Sequence, residues 1–158
     1  RLLLGLQAPT SGTMEIANNI KTGAILESPA IYPFWSAKRN LKYQLSLIKN
    51  PQYSVEELLE IVGLKDTRKP IQQYSLGMKQ KLRIIQAIME SPNILILDEP
   101  FDALDKQAKQ IMQNYLNDFI KKENHYLIYT SHSNEHKEFA DVIYSIDAKT
   151  IKEIKNVE

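Results

Sequence analysis

The chain has no cysteine among its 158 residues, which excludes a disulfide scaffold, a thiolate metal site and a cysteine nucleophile, and fits a reducing compartment. Neither sign of charge dominates: 20 Lys+Arg against 19 Asp+Glu leave a formal +1, which argues against a strongly basic nucleic-acid binder while leaving a local patch open. Long apolar runs are missing too. They stay as short as Ile94-Leu95-Ile96-Leu97, far from the roughly 18 residues that a membrane-spanning helix needs. The opening Arg1-Leu2-Leu3-Leu4-Gly5-Leu6-Gln7 is too short in its apolar part for a signal peptide, and no small-residue cleavage site follows. It starts without Met and mid-pattern, so the expectation is a soluble piece of something larger. Glycine is scarce. The five are Gly5, Gly12, Gly23, Gly63 and Gly77, and none opens the pattern G-x-x-x-x-G-K-S/T that cradles phosphates.

What is present is an ordinary globular composition, 43% apolar, in a length that suits one domain or a core with an inserted lobe. Residues 2–6 read as the end of a helix, and Pro9-Thr10-Ser11-Gly12 as a turn. Short strands are expected over 13–16 and 24–26, then an aromatic, proline-punctuated loop over 29–35. Three helices follow without an intervening strand. The first spans 37–49 and Pro51 forbids its continuation; the second starts at the capping box Ser54-Val55-Glu56-Glu57 and stops at Gly63. The third runs from Ser75 to about Met89, with Met78, Leu82, Ile85 and Met89 on one face and Lys79, Lys81 and Arg83 on a more solvated one. Such a run reads as an inserted helical lobe. Beyond Pro92, Ile94-Leu95-Ile96-Leu97-Asp98 reads as a central parallel strand buried on both faces. A helix over 106–122, a strand over 126–130, a short helix over 134–140 and a strand over 142–146 complete the pattern. The alternation implies a mostly parallel α/β sheet.

The chemistry concentrates between Ile94 and Asp105. An apolar strand ending in Asp98-Glu99 sets two carboxylates at the carboxyl edge of a sheet, where such folds bind ligands. One carboxylate there suits Mg²⁺, and its neighbour can orient an attacking water. Taken alone, Asp98-Glu99-Pro100 is equally a polar turn. Upstream, Ser75 is a good N-cap, and Gly77 in the first turn lets an anion approach the backbone, though an ordinary capped helix reads the same way. His132 closes Thr130-Ser131-His132; a histidine at a strand end is commonly a surface residue, and in a phosphate site it can hydrogen-bond a phosphoryl oxygen.

In this order the segments resemble the nucleotide-binding domain of ABC transporters. Tyr74-Ser75-Leu76-Gly77-Met78-Lys79-Gln80 is similar to the signature segment, Ile94-Leu95-Ile96-Leu97-Asp98-Glu99-Pro100 to Walker B with its glutamate, Ala103-Leu104-Asp105 to the D-loop, and Ser131-His132 to the switch-histidine loop. The resemblance covers essentially the whole chain. It implies a P-loop NTPase-type α/β fold, with a mostly parallel sheet and an inserted helical lobe, missing its N-terminal strand and P-loop. Residues 1–28 would be a remainder of the core, 29–91 the lobe and 92–158 the rest of the core. It also implies ATP and Mg²⁺ as cofactors, with Asp98 supporting the metal, Glu99 polarising the hydrolytic water and His132 contacting the γ-phosphate. Ser75, Gly77 and Met78 would close over nucleotide held by a second nucleotide-binding domain in a head-to-tail dimer, and Asp105 would work across the same interface. Asp105 is also placed to cap the helix that starts near Lys106.

Departures from the family pattern matter. Leu76 and Met78 stand where the common signature has Gly and Gln, as in a subfamily resembling bacitracin- or lantibiotic-resistance exporters. Glu27 stands near where the Q-loop glutamine would lie; it can reach a metal through water but cannot donate an amide hydrogen bond, and it is equally an exposed loop acid. The missing phosphate loop implies a chain beginning just downstream of it, with little ATP binding of its own and unpaired, aggregation-prone sheet edges. Ile31-Tyr32-Pro33-Phe34-Trp35 is an aromatic surface candidate, which in the family receives the transmembrane permease subunit and otherwise packs the lobe. The implied whole is the ATP-hydrolysing subunit of an exporter, cytoplasmic and peripheral on the inner face of the cell membrane, with antimicrobial peptides as the suggested cargo and no nucleic-acid partner. Two alternatives stay open: a soluble ABC protein acting on ribosomes or nucleic acid, and a non-catalytic fragment that occupies a partner's interface.

Overall fold

A computed structural model describes residues 1–15, 17, 20–25, 31–65, 68–132, 140–147 and 150–154. Among them a three-stranded parallel sheet has the order β1 (Thr22–Ala24), β2 (Ile94–Leu97), β3 (Tyr126–Tyr129). Its register sets Gly23 beside Leu95 and Leu97 beside Tyr129. The helices are α1 (Ala37–Ser46), α2 (Val55–Ile61), α3 (Leu76–Ile88) and α4 (Lys106–Ile120). Parallel neighbours require crossovers, and α4 supplies the one from β2 to β3. This is the mixed α/β architecture expected from the strand–helix alternation.

Local chemistry sets the helix starts. Ser36, Ser54, Ser75 and Asp105 are the N-caps of the four helices in turn, each side chain accepting from the backbone N–H three residues on. At α2 the box is reciprocal: Glu57 N–H donates to Ser54 Oγ, and the Ser54 N–H donates to Glu57 Oε2 at 2.7 Å. Those donors to its carboxylate, the backbone N–H first, hold the Glu57 pKa below its ordinary value. Leu41, Leu58, Ile71, Leu82, Ile85, Leu95 and Met112 meet in one core with no appreciable exposure. β1 lies so close to α3 that a Cβ on Gly23 would run into the Ala87 carbonyl, and only glycine fits there.

Several expectations are corrected. Residues 13–15 form no strand, and Ile16 lies outside the described residues. The strand placed at 24–26 begins two residues earlier, because the Lys21 carbonyl already accepts from Asn93 and Ile94; Leu26 is outside the described residues. β2 is central but not sealed on both faces: Leu95 and Leu97 are buried while Ile94 and Ile96 are half-buried. α1 stops at Ser46, whose hydroxyl donates to the Tyr43 carbonyl at 2.6 Å, and α4 stops at Ile120. The strand expected over 142–146 does not join the parallel sheet. It is β4 (Ile143–Asp147), paired antiparallel with β5 (Thr150–Ile154), because two intervening residues permit a hairpin but no crossover. The helix expected over 134–140 falls on residues that, apart from Ala140, lie outside the described ones.

Candidate functional site

Parallel register brings the ends of β2 and β3 side by side, so Asp98 and Thr130 are neighbours although 32 residues apart. Thr130 Oγ1 donates to Asp98 Oδ1 at 2.6 Å and accepts from the Glu99 N–H at 3.0 Å. Glu99 turns the chain with φ at 46°, a left-handed conformation that costs a non-glycine residue on the order of 1 kcal/mol. Its carbonyl accepts from Gln80 Nε2 at 3.2 Å, and the same amide reaches the Pro100 carbonyl at 3.4 Å. His132 Nε2 lies 3.1 Å from Glu99 Oε1; the imidazole is 96% exposed and the carboxylate 24%. The sheet edge thus gathers Asp98, Glu99 and His132, the three residues whose chemistry the sequence singled out there.

Asp98 and Glu99 open onto a cleft of about 270 Å³ lined also by Leu76, Gln80, Arg83 and Asp102 among others. Their donor set suits Mg²⁺ in one particular way. The described residues hold no cluster of three or more His, Asp or Glu that would cage a cation. Mg²⁺ is ordinarily held by one or two carboxylates, with phosphate oxygens and water completing the octahedron. Asp98 and Glu99 fit that partial role, and Thr130 engages one oxygen of Asp98, leaving the other outside that bond.

At the starts of α3 and α4, Ser75 Oγ accepts from the Met78 N–H at 3.2 Å, and Asp105 Oδ1 from the Ala108 N–H at 2.8 Å. Asp105 therefore takes the capping position that its place before Lys106 had suggested. Gly77 has a packing task in addition: a Cβ there would lie 2.6 Å from the Ala103 carbonyl oxygen, so the start of α3 rests on the loop after β2. Met78 is half-buried against the core and Leu76 is largely exposed. Glu27 lies outside the described residues.

A second, more apolar groove of about 290 Å³ runs between Ile31, Pro33, Ile71, Gln72, Lys79 and Leu82. Beside it Trp35 stacks on Tyr32 with centroids 4.3 Å apart, the Arg39 guanidinium sits 4.1 Å over Trp35, and Phe34 is 76% exposed. Buried Asn40 holds this loop: its Oδ1 accepts from the Tyr32 N–H at 2.7 Å and its Nδ2 donates to the Tyr32 and Ser36 carbonyls. Trp35 is half-buried and Phe34 is not, so the aromatic stretch divides between packing and surface.

The sequence reading gave no role to Thr130, Gln80, Asn40 or Arg83. For Gln80 a signal existed: it shares an i, i+4, i+8 stripe with Ile84 and Ile88, and a polar residue on an apolar stripe needs a buried partner.

A sequence model for a family described as "ABC transporter" matches residues 1–102. The chain belongs to the ABC transporter family. It is 38% identical over 144 residues to the bacitracin transport ATP-binding protein BcrA of Bacillus licheniformis, an alignment covering 84% of this chain and 47% of that protein. With the lantibiotic transport ATP-binding protein SrtF of Streptococcus pyogenes it shares 34% identity over 152 residues, covering 90% of this chain and 66% of SrtF. The chain spans about half the length of the bacitracin-transport relatives. The ABC fold recurs in the solved structure of the ATP-binding cassette MJ0796, a dimeric post-hydrolysis state bound to ADP and Pi. It matches with TM-score 0.72 at 18% identity, over 87% of this chain and 65% of that one. No described helix of this ABC chain is long and apolar enough to cross a membrane.

Proposed function

We propose that this chain is part of the ATP-binding and ATP-hydrolysing subunit of an ABC exporter that works through a separate membrane subunit. The observation that carries the reading is the grouping of Asp98, Glu99 and His132 at the carboxyl edge of a parallel sheet, with His132 Nε2 at 3.1 Å from Glu99 Oε1. Asp98 would hold Mg²⁺, which when bound neutralises charge on the phosphate oxygens. The Glu99 carboxylate orients the attacking water and accepts its proton. His132, whose imidazole is exposed, donates from Nε2 to a phosphoryl oxygen or to Glu99. Ser75, Gly77, Met78 and Asp105 form the surface offered to nucleotide on a second such domain, a reading supported by the dimeric state in which the cassette MJ0796 was solved. Glu27 is kept as a water-mediated metal contact from the Q-loop position.

The groove between Ile31 and Leu82, with exposed Phe34 beside it, supports a contact with the membrane subunit, and the reading adds a peripheral position on the cytoplasmic face of the membrane. Export, and antimicrobial peptides as cargo, rest on the names of the bacitracin and lantibiotic relatives. We also keep the division into core (1–28 and 92–158) and helical lobe (29–91).

The test is Mg·ATP hydrolysis by the 158-residue chain and by a form extended upstream of Arg1 through a phosphate-binding loop, each with Glu99→Gln. Hydrolysis by the extended form, reduced about 100-fold or more by Glu99→Gln, is the expected result. Two folded proteins without activity would overturn the reading and favour an interface-binding role.

A further inference from the structure

Among the described residues, Glu99 has both backbone polar atoms bound by side chains from other elements, and its carbonyl also accepts from the Asp102 N–H at 3.2 Å in the turn that follows. Its N–H goes to Thr130 Oγ1 beyond β3, 31 residues away, and its carbonyl takes Gln80 Nε2 from α3, 19 residues away. Gln80 is 6% exposed, and both groups facing its amide are carbonyls. Carbonyls only accept, so the nitrogen of that amide faces them. Thr130 has one hydroxyl proton, given to Asp98 Oδ1 at 2.6 Å, which leaves a lone pair for the Glu99 N–H. The result is a chain of donors running from Glu99 through Thr130 to Asp98, in which each bond polarises the next. It encloses a residue at φ 46°, a backbone state that persists only where its surroundings impose it.

We infer that Thr130 and Gln80 are positioning residues of the hydrolytic site, which together clamp the Glu99 peptide and aim its carboxylate. The inference rests on the reading of Glu99 as the group that orients water. It gives the two residues separate tasks. Thr130 fixes the amide side of Glu99 and also decides which oxygen of Asp98 remains for a cation. Gln80 ties the carbonyl side to α3, so a shift of the segment that begins at Ser75 is transmitted to the carboxylate.

The variants are Thr130→Val, which keeps the shape and removes both bonds, Thr130→Ser, which keeps the hydroxyl, and Gln80→Met, which keeps the length without a donor. The first measurement is amide hydrogen exchange by NMR on the 158-residue chain. In Thr130→Val the Glu99 amide exchanges up to about tenfold faster while the Leu95 amide in the middle of β2 is unchanged, and Thr130→Ser restores the parent rate. The second is hydrolysis by the extended form. Thr130→Val and Gln80→Met lower kcat about 10- to 100-fold with KM within about twofold, and Thr130→Ser recovers most of it.

Unchanged Glu99 exchange in Thr130→Val, or unchanged kcat in both knock-outs while Glu99→Gln is inactive, overturns the inference. If the parent itself fails to hydrolyse, the reading of Glu99 falls, and the exchange result still decides whether the clamp exists. Gln80→Met sits in a different element, and carries the test should Thr130→Val not fold.

Discussion

At the start of α3, Ser75 bonds a backbone amide three residues along; at the end of β2, Glu99 is held by side chains 19 and 31 residues away. The two stretches face the same cleft, yet the first is capped within its own helix, while the second adds two side chains from elsewhere in the fold to a local turn bond from the Asp102 N–H to the Glu99 carbonyl. The helix start is nearly autonomous: its geometry follows from a capping serine and would be much the same in another protein. The carboxylate edge depends in addition on the pairing of β2 with β3 and on the reach of Gln80 from α3. A substitution on the first side should loosen one turn, and on the second it should misalign a functional group.

Gly77 should break that separation most severely, because there the helix start leans on the far side of the cleft. A methyl at Gly77 meets the Ala103 carbonyl oxygen at 2.6 Å, and backbone has nowhere to yield cheaply. Gly77→Ala is expected to cost about 2–3 kcal/mol, read as a lower denaturant midpoint at unchanged m-value. Asp105→Ala should cost about 1 kcal/mol, the loss of an ordinary N-cap, read in the same way.

The smallest effect sharpens what an autonomous helix start means. The Glu57 pKa is lowered in the folded chain by donors from Ser54, so its contribution is present above the ordinary value of 4.5 and is lost as pH falls through the lower folded value. Glu57→Gln should flatten the fall of Tm with pH below 4.5, while the two proteins differ by a constant amount above it. A Glu57→Gln curve parallel to the parent's throughout would show that the capping box does not titrate as its geometry requires.

The same contrast explains what could be read from the sequence. The capping box at Ser54, the caps at Ser75 and Asp105, and the apolar strand running into Asp98-Glu99 are local patterns, and each lies within a residue or two of its expected place. Gly23 was visible as a glycine but not as the contact point of β1 with α3, since that needs the position of Ala87. Thr130 stood in the quoted segment without a role, because its partners are set by the pairing of Leu97 with Tyr129. β5 was missed: Lys152 and Glu153 interrupt its apolar positions, and the strand lies exposed along its length. The roles expected of Asp98, Glu99 and His132 were first suggested by their chemistry at strand ends and assigned one by one only through family likeness in the order of motifs, which is a different kind of legibility from periodicity.

The loop over Ile31–Trp35 has a practical consequence. Trp35 is the only tryptophan in the chain, stacked on Tyr32, edge-on to Tyr43 at 6.0 Å and covered by the Arg39 guanidinium. Selectively excited tryptophan emission from the unlabelled chain therefore reports one place alone, beside the groove and next to exposed Phe34. The protein carries its own fluorophore at that surface, where a change in emission colour or quenching would register contact without an added dye.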